Sequence, residues 1–149
     1  ERLLILTAIL WIAGIVGFGV ISVWRSQAWA YAIAMWTEAS QRASGDNSRA
    51  YGELGAYYKL AANYGPAEHY LKEAIKLNPN FGPSMNNLAW IMLDTGRSDD
   101  ALKMLKLCVE RCPYYSLAWQ DLGFVYEQLG HAAEAERCYQ RALELELET

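Results

Sequence analysis

Two cysteines and one histidine in the last third of the chain are the residues whose types could support metal chemistry. Cys112, His131 and Cys138 carry donor atoms that zinc accepts, but their spacing is not that of a zinc site. A free cysteine ordinarily behaves as a small buried hydrophobe, and the odd count of three cysteines cannot pair completely. We therefore predict no metal site and no disulfide scaffold.

Sequence signatures of catalysis are absent from the chain. It contains no G-x-S-x-G, no P-loop, no G-x-G-x-x-G and no H-E-x-x-H. The adjacent Asp99 and Asp100 are explained by favourable charge at a helix N-terminus rather than by acid–base chemistry. We therefore expect no enzymatic activity, no cofactor and no small-molecule substrate.

The charge of the chain argues against a nucleic-acid partner. The 149 residues carry a formal net charge of −4 and include no run of Lys or Arg. Phosphate binding requires a concentrated basic face. We therefore expect other proteins, and not nucleic acid, as partners.

An uncharged segment near the N-terminus predicts a transmembrane helix over residues 3–24. The 22 residues from Leu3 to Trp24 contain no charge, and as a helix they would extend about 33 Å, enough to cross a hydrocarbon core. A cleaved signal peptide would have a shorter apolar region. We therefore expect a single-pass membrane protein in a bacterial inner membrane, with the lipid bilayer as one of its partners.

Small residues within this segment predict a contact with another transmembrane helix. Ala13 and Gly17 form a small-xxx-small pair, and Gly14 lies beside them. The alternative is that these residues simply face lipid, because glycine is common in membrane spans. Arg25 and the arginines that follow it weakly favour a cytoplasmic C-terminal domain, although the topology stays open.

The polar part of the chain repeats with a period of 34 residues. The recurring positions of the first half-repeat are Tyr51-Leu54-Gly55-Tyr58, Met85-Leu88-Ala89-Met92 and Trp119-Leu122-Gly123-Tyr126. Those of the second half-repeat are Ala67-Leu71-Ala74-Pro79, Ala101-Leu105-Cys108-Pro113 and Ala135-Tyr139-Ala142-Leu147. Large apolar residues at this spacing form one buried stripe on a helix.

Each half-repeat is therefore predicted to be one amphipathic helix of a hairpin. The Gly or Ala of the first half allows the two helices of a pair to touch. Gly96 and Gly130 are expected to end helices in the left-handed conformation, and Ser98 and Ser116 are expected to be N-caps.

At these residues the chain resembles the tetratricopeptide repeat family, with repeats at 48–81, 82–115 and 116–149. Met85, Ala89 and Cys108 depart from the residues usual in the family, without much change in volume. The resemblance implies an all-α fold. The expected organisation is one N-terminal transmembrane helix, a helical linker over 25–47, and a three-repeat solenoid of antiparallel helix pairs over 48–149.

The aromatic-rich linker over 25–47 has two interpretations. Ala32, Trp36 and Ala39 reproduce the second-helix pattern, which favours a degenerate half-repeat packed against the first repeat. The alternative is an aromatic helix that lies in the membrane interface.

The resemblance also implies a binding groove, because the first helices of tetratricopeptide repeats line a concave surface that receives a partner. The groove-facing residues implied here are Lys59, Asn86, Trp90, Leu93, Gln120, Phe124 and Glu127. Two large aromatics on the solvent side would be an exposed apolar patch, which normally marks an interaction site. The alternative is that a neighbouring helix covers Trp90 and Phe124.

The function that follows is a membrane-anchored scaffold that binds protein subunits, among them integral membrane proteins, through its helix and its groove. We expect an accessory subunit that stabilises a multi-subunit membrane complex. A transient assembly or quality-control adaptor for a membrane complex or for secretion machinery is the alternative.

Overall fold

A computed structural model of the chain describes residues 27–41 and 47–148. Contacts divide the chain into two units, Glu1–Met35 and Trp36–Thr149. In the first unit, the described residues are helical. The predicted transmembrane helix, with Ala13, Gly14 and Gly17, lies outside the described residues. None of the helices that are described is both long and apolar enough to cross a membrane.

Residues 27–41 form helix α1, within the stretch predicted to be a helical linker. Near the end of α1 the Ser40 hydroxyl donates a hydrogen bond to the Thr37 carbonyl at 2.8 Å. The side-chain amide of Asn47 donates to the Ser40 carbonyl at 2.7 Å. Because Asn47 directly precedes the next helix, this bond joins the last turn of α1 to the residue before that helix.

Six further helices follow α1, and every regular element in the described part of the chain is a helix. They are α2 (Ser48–Leu60), α3 (Tyr64–Leu77), α4 (Gly82–Asp94), α5 (Ser98–Arg111), α6 (Ser116–Gln128) and α7 (Ala132–Leu147). The pairs α2–α3, α4–α5 and α6–α7 pack most extensively, and α3 contacts α4 as α5 contacts α6. The predicted all-α solenoid of helix pairs is confirmed.

The turn inside each pair has the same backbone geometry. Gly96 and Gly130 adopt φ of 76° and 79°, as predicted, and Ala62 occupies the same register position with φ 53°. The Gly96 N–H donates to the Leu93 carbonyl at 2.9 Å, and equivalent bonds form in the other two turns. A left-handed residue at this point satisfies the last carbonyls of the helix.

The predicted N-caps are wrong by one residue. Ser98 and Ser116 are the first helical residues of α5 and α6, and the preceding Arg97 and Tyr115 occupy the N-cap positions without a side-chain cap hydrogen bond. The tight turn after Gly96 leaves only Arg97 before α5 begins, so Ser98 already lies in the first turn of α5.

Small residues let the two helices of each pair approach closely, as predicted. A Cβ at Gly55 would lie 2.5 Å from the Leu71 side chain, and one at Gly123 would lie 2.8 Å from the Tyr139 ring. Both distances are shorter than any van der Waals contact. A larger residue at either position would force the helix pair apart.

Two clusters of buried side chains form the core. The larger one joins the second and third repeats through Met85, Leu105, Cys108, Leu122 and Val125. The smaller one joins the first and second repeats through Ala67, Leu71, Leu88 and Ile91. Both clusters lie where a first helix packs on the pair before it, so they hold the first helices in place.

Candidate protein-binding surface

The first helices of the three pairs lie side by side. Helix α2 contacts α4, and α4 contacts α6, whereas no contacts join α3 to α5 or α5 to α7 within the described chain. We use the name first-helix surface for the side of α2, α4 and α6 that carries the seven predicted groove residues.

An aromatic pair lies on the α4 and α6 part of this surface. Trp90 and Phe124, which are equivalent in the 34-residue register, stack with ring centroids 5.6 Å apart and an interplanar angle of 26°. Trp90 is half-buried and Phe124 is 37% exposed. The two rings therefore form one partly exposed apolar patch that spans the second and third repeats.

A buried carboxylate orients the tryptophan. Asp121 is 8% exposed, and its Oδ2 accepts hydrogen bonds from the Trp90 indole N–H and from the Asn86 side-chain amide, each at 2.7 Å. Asp121 is not among the residues that the sequence predicted for this surface. The available signal was an acidic residue directly before the core Leu122, on a helix otherwise rich in apolar residues.

Asn86 belongs to this internal network rather than to the solvent-facing side. It is 4% exposed, and its Oδ1 has no hydrogen-bond partner among the described residues.

A lysine connects the first repeat to the second on the same surface. The Lys59 ammonium donates to Asn87 Oδ1 at 2.7 Å. Burial lowers the pKa of Lys59, while the negative charges of Asp94 and Asp121 act in the opposite direction. Lys59 is thus largely engaged within the protein.

The other three predicted residues differ in exposure. Gln120 and Glu127 are exposed, and Leu93 is half-buried against the larger core cluster. Glu127 accepts a hydrogen bond from the Tyr139 hydroxyl at 2.9 Å. The structure therefore brings Phe124, Gln120 and Glu127 to solvent, and it uses Asn86 and Leu93 mainly for packing.

Two of the three cysteines pack in the core, and the half-buried Cys112 donates a hydrogen bond from its thiol to the Asn80 carbonyl at 3.0 Å. Cys108 is fully buried, and burial raises the pKa of its thiol to about 12. Burial also raises the pKa of Cys138, which lies in the core. Across the described residues, no three His, Cys, Asp or Glu side chains form a group that could hold a metal ion.

Comparison with known families agrees with this helix arrangement. Tetratricopeptide repeat family models match residues 48–81, 70–103 and 116–148. The chain carries tetratricopeptide repeats. Domains built from tetratricopeptide repeats generally bind other proteins and are typically not catalytic.

Related sequences and structures share the repeats. Protein O-mannosyl-transferase Tmtc3 from Drosophila melanogaster is 31% identical over 98 residues, and human tetratricopeptide repeat protein 7A is 34% identical over 92 residues. These alignments cover 65% and 62% of this chain but 11% of each relative. A crystal structure of MamA superposes with a TM-score of 0.62 at 27% identity, covering 68% of this chain and 59% of MamA.

The chain therefore spans about a tenth of the curated relatives it matches. The similarity lies in the tetratricopeptide repeats, so the transferase activity in the name of one relative belongs to that whole protein.

Proposed function

We propose that the chain is a membrane-anchored tetratricopeptide scaffold without catalytic activity. In this proposal it is an accessory subunit of a multi-subunit membrane complex, and the first-helix surface binds a neighbouring subunit. The uncharged Leu3–Trp24 segment supports the anchor, because its length matches a bilayer core. The Ala13–Gly17 pair would let a helix of the complex approach the anchor closely.

The stacked Trp90–Phe124 pair is the observation on which the proposal rests. Aromatic rings dominate the energetics of many interfaces, because they bury a large area with few rotatable bonds. Asp121 holds the indole through its N–H, so the patch is already ordered before a partner binds. An ordered patch loses less side-chain entropy on binding.

The proposal predicts a stoichiometric partner. After mild detergent extraction from its native membrane, the tagged chain should co-purify with its neighbouring subunits at a constant ratio. Phe124→Ala should reduce that recovery at least tenfold, because the exposed ring lies at the centre of the patch.

The matched control is Tyr114→Ala, which removes an aromatic ring that is 81% exposed and lies between α5 and α6. Equal recovery for both variants and the unmodified chain would contradict binding through the first-helix surface. Recovery far below one copy per mature complex would instead assign the chain to the class of transient adaptors.

A further inference from the structure

The outer side of the last helix pair carries an open apolar depression that shares Glu127 with the first-helix surface and whose lining includes neither Trp90 nor Phe124. Its volume is about 370 Å³, and its lining includes Glu127, Glu136, Tyr139 and Leu143. Among the helices from Ser48 to Leu147, α7 contacts only α6. Leu143 is 57% exposed. We call this depression the end face.

The repeat register identifies the end face as a stacking face. Leu143 is equivalent to Ile75 and Val109, which pack into the core between successive repeats. Tyr139 is equivalent to Leu71 and Leu105, which are fully buried. In the first two repeats these positions are covered by the next helix. In the third repeat the residues at the same positions line the end face.

The junction between the first two repeats shows which polar groups accompany such a docked helix. The Lys59 ammonium donates to Asn87 at 2.7 Å, and Arg97 donates to Glu68 in an ion pair. Asn87 directly precedes Leu88, the first apolar residue of α4 that enters the smaller core cluster. Arg97 follows the end of α4.

On the end face, the residues equivalent to Lys59 and Glu68 in the 34-residue register are both acidic. Glu127 replaces Lys59, and Glu136 replaces Glu68. Both residues are exposed. A helix docked in the register of α4 would therefore place its residues equivalent to Asn87 and Arg97 beside two carboxylates.

We propose that the end face docks an amphipathic helix of a second protein that carries basic residues at these two positions. The docked helix has two apolar residues three positions apart, as Leu88 and Ile91 are. One Lys or Arg directly precedes the first apolar residue, and another follows the second by six positions. Complementary charge at the edge of an apolar contact selects the partner and its register.

A peptide built from the chain itself tests this proposal. The probe is residues 82–97 with Asn87→Lys, amidated at its C-terminus and stapled between positions 86 and 93, on the side of the helix opposite Leu88 and Ile91. Its binding to the whole chain in detergent is followed by fluorescence anisotropy. A second probe also carries Arg97→Glu. We expect the first probe to bind about tenfold more tightly than the second.

Two substitutions in the protein locate the binding site. Glu136→Lys should reverse the preference between the probes, and Leu143→Ala should weaken both. Because both side chains are exposed, thermal unfolding should change little. Glu110→Lys on α5 changes the net charge by the same amount and should leave the preference unchanged.

The proposal fails if the probes bind equally, or if Glu136→Lys has no more effect than Glu110→Lys. A dimer of the chain that Leu143→Glu dissociates would assign the end face to a second copy and would also overturn the proposal. Neither result bears on Phe124, so the proposed function of the first-helix surface is tested separately.

Discussion

The two junctions between repeats use different chemistry. The first junction, between the first and second repeats, has three polar contacts that join two side chains: Lys59–Asn87 at 2.7 Å, Tyr64–Asp94 at 3.0 Å, and the Glu68–Arg97 ion pair. At the second junction, Leu102 replaces Glu68 and packs against the larger core cluster. The polar contacts at the second junction are mainly the hydrogen bonds that the buried Asp121 accepts from Asn86 and Trp90.

Because the two junctions have different polar contacts but the same helix arrangement, the fold depends on the apolar residues that recur every 34 positions and not on one set of polar contacts. Leu71 and Leu105 occupy equivalent positions and are both fully buried. The polar residues around them vary without a change in the helix arrangement. The Glu68–Arg97 ion pair should therefore make the first junction sensitive to pH and salt, whereas both junctions should respond to changes in the volume of their buried leucines.

The largest effect is expected from a cavity at the second junction. Leu105→Ala should lower the free energy of unfolding by about 3 kcal/mol, because a fully buried leucine loses its packing and leaves a void. Urea unfolding followed by circular dichroism measures the change. Leu129→Ala, at a 39% exposed site, is the control. A loss below about 1 kcal/mol at Leu105 would contradict a tightly packed second junction.

A smaller loss is expected when the Asp121 network is weakened. Trp90→Phe keeps a ring against Phe124 but removes the indole N–H, so Asp121 retains only the Asn86 donor. We expect a loss of about 1.5 kcal/mol in the same unfolding experiment, since a buried carboxylate loses one partner. In the control, Trp119→Phe removes an exposed indole bond to the Pro113 carbonyl. Equal losses for both variants would mean that the buried indole bond adds no more stability than the exposed one.

Glu68, which pairs with Arg97 across the first junction and with Lys72 on its own helix, should make a pH-dependent contribution to stability. Hydrogen bonds from Lys72 and Arg97 lower the pKa of Glu68 below its usual 4.5, despite partial burial. A lowered folded-state pKa stabilises the fold above the unfolded-state value, and this advantage is lost as pH falls through the folded-state value. Glu68→Gln should therefore cost about 1 kcal/mol at pH 7 and progressively less below pH 4.5.

Urea unfolding at several pH values measures this difference. Glu73→Gln, which removes an exposed pair with Lys76, is the control and should show almost no pH-dependent difference. A constant cost of Glu68→Gln across the pH range would exclude the ion pair as its cause.

The smallest effect is expected at the turn of the first repeat. Ala62 adopts a positive φ where the other repeats have glycine. Ala62→Gly should raise the free energy of unfolding by about 0.5 kcal/mol, because relief of backbone strain exceeds the entropy that glycine adds to the unfolded chain. Ala61→Gly, at φ −80°, should not stabilise the protein. Stabilisation by both variants would rule out the left-handed backbone as the reason.

The periodicity of the sequence was sufficient to predict the solenoid. The 34-residue spacing locates six helices, and Gly55 and Gly123 indicate where paired helices touch. These features are local or strictly periodic, so a single sequence is enough to detect them. The helix starts at Ser98 and Ser116 were less predictable, because the cap depends on the turn that precedes it.

The surface was predicted only in part. The sequence placed Trp90 and Phe124 on one surface, but did not indicate that the two rings stack or that Asp121 is buried beside Trp90. A single aspartate in a helix normally faces solvent, and its partners Asn86 and Trp90 come from another repeat. A contact between residues so far apart in the chain leaves no local pattern.

Photo-crosslinking in intact cells tests the central claim most directly, because it reports which surface a partner touches. A benzoylphenylalanine placed at position 124 should give a discrete product with one membrane-complex subunit, and the same group at position 120 should give that product more weakly. The group at position 114, on the exposed loop between α5 and α6, should give none. Products from position 114 alone, with none from position 124, would contradict binding through the first-helix surface.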